Sequence, residues 1–566
     1  MKRMFLSLAA TLAACLTLAA APQVKAADME PVIVVSFAGY DELKADIDFI
    51  GELANQPGAS AMLEGLLMAF TQQKGFDGLD KTRPWGAALS TDGLEFQMLA
   101  FLPVDKPENL TAALAPLLGE PEELDDDVSR IMAGNTPVFI KPQGEWLFIA
   151  QLADGLKNLP ADPMTFLSGL DDDYDIAIRV DVQNVPEQYR SMAVDNLQMG
   201  VESNLDQGDD ETDDAFEMRK NLARTQVDQI TALLEELDQL TLGWKIDAEA
   251  KSTYLDTMLT FVPDSDLAKQ SMNLETVAST LSGFLAENVP FALLSSTKVK
   301  DESLLAASIE QTESAIAKLR EQVMAEIDKE ERLASEPEKK AEIKEIIDEL
   351  FEVLAATAKE GRMDVGMTVN GDGPLSLSAA VRVADGRKVE EAIKKFVALG
   401  KDEEDFPEVD LDVDEYEGVS FHTIAIPEPD DEDAAESLAD VFGDEVELTI
   451  GFGDEHIYAS LGEDGVETLS ELLDNSKGDA KKPKFPMDIS VYLTPILKFA
   501  ATMDNASPML EMLIKSLEKS GKDRIRVTSQ VVENGSRMRI EVEEGILKLI
   551  GAAAQSGMGG RLPLGQ

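Results

Sequence analysis

The chain has 566 residues, of which 108 are acidic and 50 are basic, so its formal net charge is −58 at pH 7. A negative field of this size makes nucleic acid and anionic lipid surfaces poor partners, and no nucleic-acid partner is predicted. The single cysteine excludes an internal disulfide and the usual thiolate metal sites.

The first 26 residues form an export signal. A basic start at Lys2 and Arg3 precedes an apolar run and a Val-Lys-Ala site that ends at Ala26. The prediction is therefore an exported protein, periplasmic or extracellular, whose mature chain has lost its cysteine. The alternative is a lipoprotein site at Leu12–Cys15, which would leave Cys15 acylated and membrane-anchored. No later segment approaches about 18 apolar residues, so no transmembrane segment is predicted after the signal.

Strand and helix patterns follow in chain order. The stretch PVIVVSFAGYDEL (31–43) begins as an apolar strand, and residues 85–119 have the plan strand, Asp-Gly turn, strand, aspartate, helix. GEWLFIAQLADG (144–155) predicts another strand, residues 175–192 a strand followed by a helix start, and residues 240–262 a hairpin.

The same series of elements recurs in the second half of the chain. Residues 290–304 resemble 31–43, and residues 363–400 repeat the plan of 85–119 with the same 13-residue spacing between their aspartates, Asp92 to Asp105 and Asp372 to Asp385. These aspartates suit turns and helix caps. The remaining matches pair 144–159 with 454–469, 175–192 with 488–503, and 240–262 with 524–546.

This recurrence predicts an internal duplication. The expected domains are 28–284 and 288–552, with a disordered tail at 553–566. Apolar alternation in hairpins predicts antiparallel sheets with one face buried under amphipathic helices, which is an α+β fold. Apolar residues at helical spacing in 301–334 and 338–360, separated by Pro337, predict a long helical hairpin.

His456 is one of only two histidines, and its position in the repeat bears on catalysis. The ungapped match of 144–159 with 454–469 aligns His456 with Trp146. Because tryptophan cannot transfer protons as imidazole does, we interpret His456 as a ring on a strand face, and we expect His456→Trp to be tolerated.

The common motifs of catalysis and metal binding are absent from the sequence or incomplete in it. No G-x-S-x-G elbow, H-E-x-x-H helix or phosphate-binding P-loop occurs, and no catalytic residue or cofactor is predicted. Asp410, Asp412 and Asp414 begin like a calcium loop, but the following glycine, Gly418, comes ninth where the motif has it sixth. These three aspartates are the weak metal candidates, and diffuse counterion binding is the alternative.

The export signal, the acidic composition, the start PVIVVSFAGYDEL and the strand GEWLFIAQLADG are together similar to large acidic exported bacterial proteins of unknown function. The resemblance covers nearly the whole mature chain. It implies export and a duplicated α+β fold, and it brings no functional residues with it.

Three kinds of function remain after these exclusions. The leading expectation is a non-enzymatic protein of the cell envelope or extracellular space that acts through its surfaces. The first alternative is a periplasmic carrier for a lipid or other apolar ligand, since Met, Leu and Phe are frequent on amphipathic elements. The second is a low-affinity binder of divalent cations. Protein partners cannot be derived from these residues.

Overall fold

A computed structural model of the chain describes residues 29–555, except 54–55, 134–135, 204, 206, 208–212, 331–332, 334, 372, 402, 404–405, 428, 430, 478–481 and 504–507. The predicted export signal with Cys15, Asp372 and the residues from 556 onward lie outside these residues, so predictions about them stay predictions. The predicted α+β class is confirmed, because helices accompany antiparallel sheet. None of the helices described is both long and apolar enough to cross a bilayer.

The chain divides by its internal contacts into two compact units, split between Lys269 and Gln270. Residues 533–537 and 550–555 are grouped with the first unit. The predicted domain limits at 284 and 288 come from the repeat matches and stay a prediction. The final helix continues to Gln555, so three residues of the predicted tail, 553–555, are helical.

An antiparallel sheet forms the centre of the first unit. Its strands are β1 Glu30–Phe37, β2 Trp85–Thr91, β3 Phe96–Pro103, β4 Glu122–Glu123, β5 Ser129–Ala133, β6 Thr136–Gln143, β7 Trp146–Ala150, β8 Ile176–Asp181, β9 Leu237–Asp247 and β10 Ser252–Phe261. Across the sheet they follow the order β10-β9-β8-β1-β2-β3-β7-β6-β5-β4.

A second antiparallel sheet lies in the second unit. Its strands are β11 Leu274–Thr276, β12 Phe291–Val299, β13 Arg362–Asn370, β14 Ser376–Arg382, β15 Val409–Tyr416, β16 Val419–Ala425, β17 Glu447–Phe452, β18 His456–Gly462, β19 Met487–Tyr492 and β20 Arg524–Val532. Across this sheet the order is β20-β19-β12-β13-β14-β18-β17-β16-β15, and β11 pairs with the end of β12. A further strand, β21, spans Gly535–Glu543.

The helices are mostly amphipathic and lie between the strands in sequence. Their bounds are α1 Tyr40–Leu53, α2 Ala59–Phe70, α3 Pro107–Leu118, α4 Met164–Leu167, α5 Leu170–Asp173, α6 Glu187–Ser203, α7 Asp213–Glu236, α8 Asp266–Met272, α9 Glu302–Lys329, α10 Pro337–Lys359, α11 Gly386–Gly400, α12 Glu432–Phe442, α13 Gly465–Asn475, α14 Leu493–Met503, α15 Pro508–Ser520 and α16 Glu544–Gln555.

Local side-chain chemistry explains where several of these elements begin and end. The Asp92 carboxylate accepts two backbone N–H groups in the turn between β2 and β3, as its Asp-Gly pattern indicates. Asp385 caps α11 by accepting a backbone N–H of its first turn. Asp105 does not cap α3, because Lys106 takes the cap position without a side-chain hydrogen bond. Pro107 then begins that helix, where a missing N–H costs nothing.

Each unit has its own apolar core on one face of its sheet. In the first unit, Phe101 and Phe148 are fully buried and pack against residues of the short helices α4 and α5. In the second unit, Phe421 and Leu294 pack against Leu469 and Leu472 of α13. Burial of such side chains stabilises each unit by about 1.5–3 kcal/mol per residue.

Candidate cation site and the two histidines

Among the residues that the structure describes, one group of three carboxylate and imidazole side chains lies close enough to hold an ion. It consists of Glu390, Asp412 and His422, whose candidate ligand atoms all lie within 4.8 Å of one another. Glu390 comes from α11, Asp412 from β15 and His422 from β16. The cluster therefore joins the hairpin of β15 and β16 to a helix that packs on the same sheet.

Strand alternation brings His422 to this helix. Phe421 and His422 are successive residues of β16, so their side chains point to opposite faces of the sheet. Phe421 is fully buried in the core under α13, and His422 is 2% exposed on the other face, where it meets Glu390 of α11. Asp412 reaches the same place because the β15 register shifts between Asp410 and Asp414, and Asp412 has φ 55°.

Two cations neutralise the carboxylates of the cluster. The Lys394 ammonium lies 2.8 Å from Glu390 Oε1 and 2.7 Å from Asp412 Oδ1, and Arg387 donates to Glu390 Oε2 at 2.9 Å. Burial raises the pKa of Glu390, but the hydrogen bonds and charges of Lys394 and Arg387 outweigh it and lower that pKa. The hydrogen bond from Lys394 likewise lowers the pKa of Asp412.

His422 is held in its neutral form. Burial and the charge of Lys394 lower its pKa, and these effects outweigh the attraction of Asp412 and Glu390. Its Nδ1 atom accepts the backbone N–H of Asp412 at 2.8 Å, so the single proton of the neutral ring resides on Nε2. Nε2 lies 3.4 Å from Glu390 Oε1 and is buried without a well-aligned hydrogen-bond partner.

These protonation and charge assignments describe an ion network rather than a preformed metal site. A histidine ligand needs a free lone pair on the nitrogen that binds the metal, and its other nitrogen usually donates a hydrogen bond. In this cluster Nδ1 is an acceptor, and Lys394 occupies the position between the Glu390 and Asp412 oxygens. A divalent ion would have to displace Lys394 and rearrange the contact between Asp412 and the ring.

The structure brings together only one of the three aspartates predicted as metal candidates. Asp410 and Asp414 are exposed on either side of the register shift in β15, outside the group that contains Asp412. The partners missed from the sequence are Glu390 and His422. The one signal for them was the Glu390–Lys394 pair at i,i+4 on an amphipathic helix, and many solvated helices share that spacing.

His456 lies beside a buried carboxylate, which the repeat alignment does not indicate. Its Nε2 is 4.0 Å from Oδ2 of Asp364, a fully buried residue of β13. The Ser279 hydroxyl donates to Asp364 Oδ1 at 2.7 Å, and Arg362 lies 3.3 Å from Oδ2. Burial raises the pKa of Asp364, but His456, Ser279 and Arg362 together lower it.

The environment of Trp146 is different. Trp146 packs edge-on against Phe101 at 5.7 Å, with the Arg83 guanidinium 4.4 Å from its ring centroid. A tryptophan at position 456 would meet Asp364 instead, and it would remove the imidazole that faces this carboxylate. The expectation that His456→Trp is tolerated therefore does not follow from the observed contacts, because the two aligned rings have unlike neighbours.

Two open clefts lie elsewhere on the described residues. The first, in the first unit, has a volume of about 550 Å³, and the second, in the second unit, about 460 Å³. Polar and apolar side chains alternate in both linings, which gives neither cleft the mainly apolar wall of a typical small-molecule site. The first cleft is lined in part by Ser90, Gln97, Leu99, Lys157 and Phe166.

Comparison with known protein families, curated proteins and solved structures finds no match to this chain.

We expect the His422 imidazole to titrate below the ordinary histidine pKa of about 6.5, with the neutral ring protonated on Nε2. Imidazole ¹⁵N NMR as a function of pH measures both properties. Lys394→Met should raise this pKa, because it removes a neighbouring positive charge. Lys395→Met is the matched control, since Lys395 binds Glu349 on α10 and should leave the titration unchanged. A titration of His422 at or above pH 6.5 in the native chain would contradict the neutral assignment.

Proposed function

We propose that this chain is an exported, non-enzymatic protein that acts through its surfaces in the cell envelope or the extracellular space. The observation that carries the proposal is the use of both histidines in structural contacts. His422 is a neutral, buried member of an ion network, and His456 faces the buried Asp364. Neither imidazole opens onto one of the two clefts described above, so the usual neutral-pH proton-transfer group is not offered to a substrate there.

We also infer that the two units arose by internal duplication. The inference is supported by strand order. Across the sheet, nine strands of the first unit follow the order β9-β8-β1-β2-β3-β7-β6-β5-β4, and nine strands of the second unit follow the order β20-β19-β12-β13-β14-β18-β17-β16-β15. If the strands of each set are numbered along the chain, from β1 and from β12, the two orders are identical. The inserted helices differ in length, so the copies would have diverged chiefly in their connections.

A second candidate function is low-affinity binding of divalent cations. The cluster of Glu390, Asp412 and His422 is the observation that favours it. Competition from Lys394 for the same carboxylate oxygens would keep such binding weak. In this second proposal, the exposed carboxylates of the surface attract cations collectively. The cluster binds a cation only when Lys394 moves away from its carboxylates.

We expect the exported protein to begin at Ala27 without an acyl group and to carry no stoichiometric ligand. Intact-mass and native mass spectrometry of the protein purified from the exporting cell measure both. Cys15→Ser is the matched control: if the cysteine leaves with the signal, the mature mass is unchanged.

Each other mass would point to a different function. A diacylated species that begins at Cys15 would favour a membrane-anchored lipoprotein over a protein released from its signal. A retained lipid would favour the carrier for apolar ligands, and a stoichiometric metal would favour cation binding.

A further inference from the structure

A second group of carboxylates surrounds a single lysine in the first unit. Asp175, at the entry to β8, is 1% exposed. Its Oδ2 accepts the backbone N–H of Ile246 at 2.6 Å, and its Oδ1 lies 2.7 Å from the Lys245 ammonium. Lys245 also binds Glu42 of α1 at 2.9 Å. These contacts attach α1 to the adjoining ends of β8 and β9.

Asp46 adds a third carboxyl group to this site. It lies four residues after Glu42, on the same side of α1, and its carboxyl group interacts with that of Asp175. Asp46 Oδ2 is buried without a hydrogen-bond partner, and Asp175 Oδ1 is buried beside the Lys245 ammonium, which lies 2.7 Å away. The oxygens of two ionised carboxylates are both acceptors and repel each other. A hydrogen bond between the two groups therefore forms only when one of them carries a proton.

We propose that Asp46 keeps its proton in the folded chain and donates it to the Asp175 carboxylate, and that this hydrogen bond fastens α1 to the ends of β8 and β9. The site then holds two negative carboxylates, one neutral carboxyl group and one ammonium. Loss of the proton leaves three carboxylates around Lys245, two of them in direct contact and partly removed from water. The attachment of α1 is thus coupled to the pH of the surroundings, which an exported chain, as proposed above, would meet directly.

The charges that face Asp46 agree with this assignment. Burial, followed by the charges of Asp175 and Glu42, raises the pKa of Asp46 to about 7, and the opposing effect of Lys245 is smaller. From α2, Glu64 binds Lys44 and Tyr40 of α1.

The sign of the pH effect follows from this raised pKa. The folded chain holds the Asp46 proton more tightly than the unfolded chain, so the stabilisation is complete below about pH 4. It declines as the pH rises, and it is lost once the pH passes about 7. Helix α1 should therefore be held most firmly in mildly acidic medium.

The test compares the full mature chain with Asp46→Asn, which keeps a neutral, proton-donating side chain at every pH. Melting temperature is measured from pH 5 to 8.5, together with hydrogen exchange of the α1 amides corrected for intrinsic rates. The native chain should lose about 2–4 °C relative to Asp46→Asn over this range, and its α1 amides should lose protection several-fold more above pH 7.5. Glu52→Gln is the matched control, because Glu52 is an exposed carboxylate on the same helix.

Parallel pH curves for the native chain and Asp46→Asn would overturn the proposal. So would a Glu52→Gln variant that reproduces the Asp46→Asn result, since general charge repulsion would then explain both. Both outcomes leave the proposed export and surface function untouched, because neither depends on how α1 is attached.

Discussion

Replacing Asp364 with alanine is expected to lower the free energy of unfolding by about 3–5 kcal/mol, which is the usual cost of removing one partner from a buried charged group. Asp364 is fully buried and receives Ser279 and Arg362, with His456 at 4.0 Å. Its loss would leave the Arg362 charge and the Ser279 hydroxyl without this acceptor in a place that water does not reach freely. We expect the second unit, which contains Asp364, to be the part of the chain that is destabilised.

Chemical denaturation followed by circular dichroism measures this change. Asp440→Ala is the matched control, since Asp440 is an exposed aspartate of α12 in the same unit. His456→Trp should destabilise in the same direction as Asp364→Ala, by about 2–3 kcal/mol, because it removes the imidazole that faces the carboxylate. If Asp364→Ala costs no more than Asp440→Ala, the buried carboxylate contributes no net stability.

The pH dependence of the Asp364 effect has a defined sign. The pKa of Asp364 is lowered in the folded chain, so the unfolded chain binds its proton more readily. The stabilisation is present above the ordinary aspartate pKa of about 3.9 and is lost as the pH falls through the lower value of the folded chain. The difference between the native chain and Asp364→Ala should therefore shrink under acid conditions.

The fold class followed from sequence because alternation and helical spacing are local properties. The Asp92 turn and the Asp385 cap act within a few residues of their own position, and both are observed. The Asp105 cap failed for an equally local reason, since Pro107 places the start of α3 one residue further along. Features of this kind depend on neighbours in the chain, which a sequence displays.

The neighbours of His456 could not be derived in this way. The alignment correctly marks a ring on a strand, but the contacts of that ring come from β13, whose register with β14 and β18 is a tertiary property. In the first unit Trp146 has Phe101 and Arg83 as neighbours, and in the second unit His456 has Asp364 and Tyr458. The two aligned positions thus have unlike environments, although the strand order of the two units is the same.

The neighbours of the three aspartate candidates could not be derived from sequence for a related reason. Alternate aspartates at 410, 412 and 414 would share one face of a regular strand. The register shift and the positive φ of Asp412 remove this regularity, so Asp412 alone meets Lys394. A bulge has no reliable signature in one sequence, and the helix that supplies Glu390 lies some twenty residues earlier in the chain.

Net charge gives the second large expected effect. Without the predicted signal, residues 27–566 carry 47 basic and 108 acidic residues, a balance of −61. Self-repulsion on this scale opposes the compact state at low ionic strength, and added salt screens it, because the Debye length falls from about 30 Å at 0.01 M to about 10 Å at 0.1 M. We expect the melting temperature to rise by roughly 5 °C or more between about 0.01 and 0.5 M sodium chloride, as scanning calorimetry would measure.

Calcium separates diffuse screening from a specific site. As a divalent counterion it should raise the melting temperature at lower concentration than sodium does, but along a gradual curve with no stoichiometric end point. An ordered site of six to eight oxygens would instead saturate at a defined ratio. Calorimetric titration at about 0.15 M salt should therefore show no tight calcium site, in agreement with the Lys394 ammonium that already bridges Glu390 and Asp412. Saturation at one or two ions per chain with a micromolar constant would refute diffuse screening, and loss of that saturation in Asp412→Asn would assign the ion to this cluster.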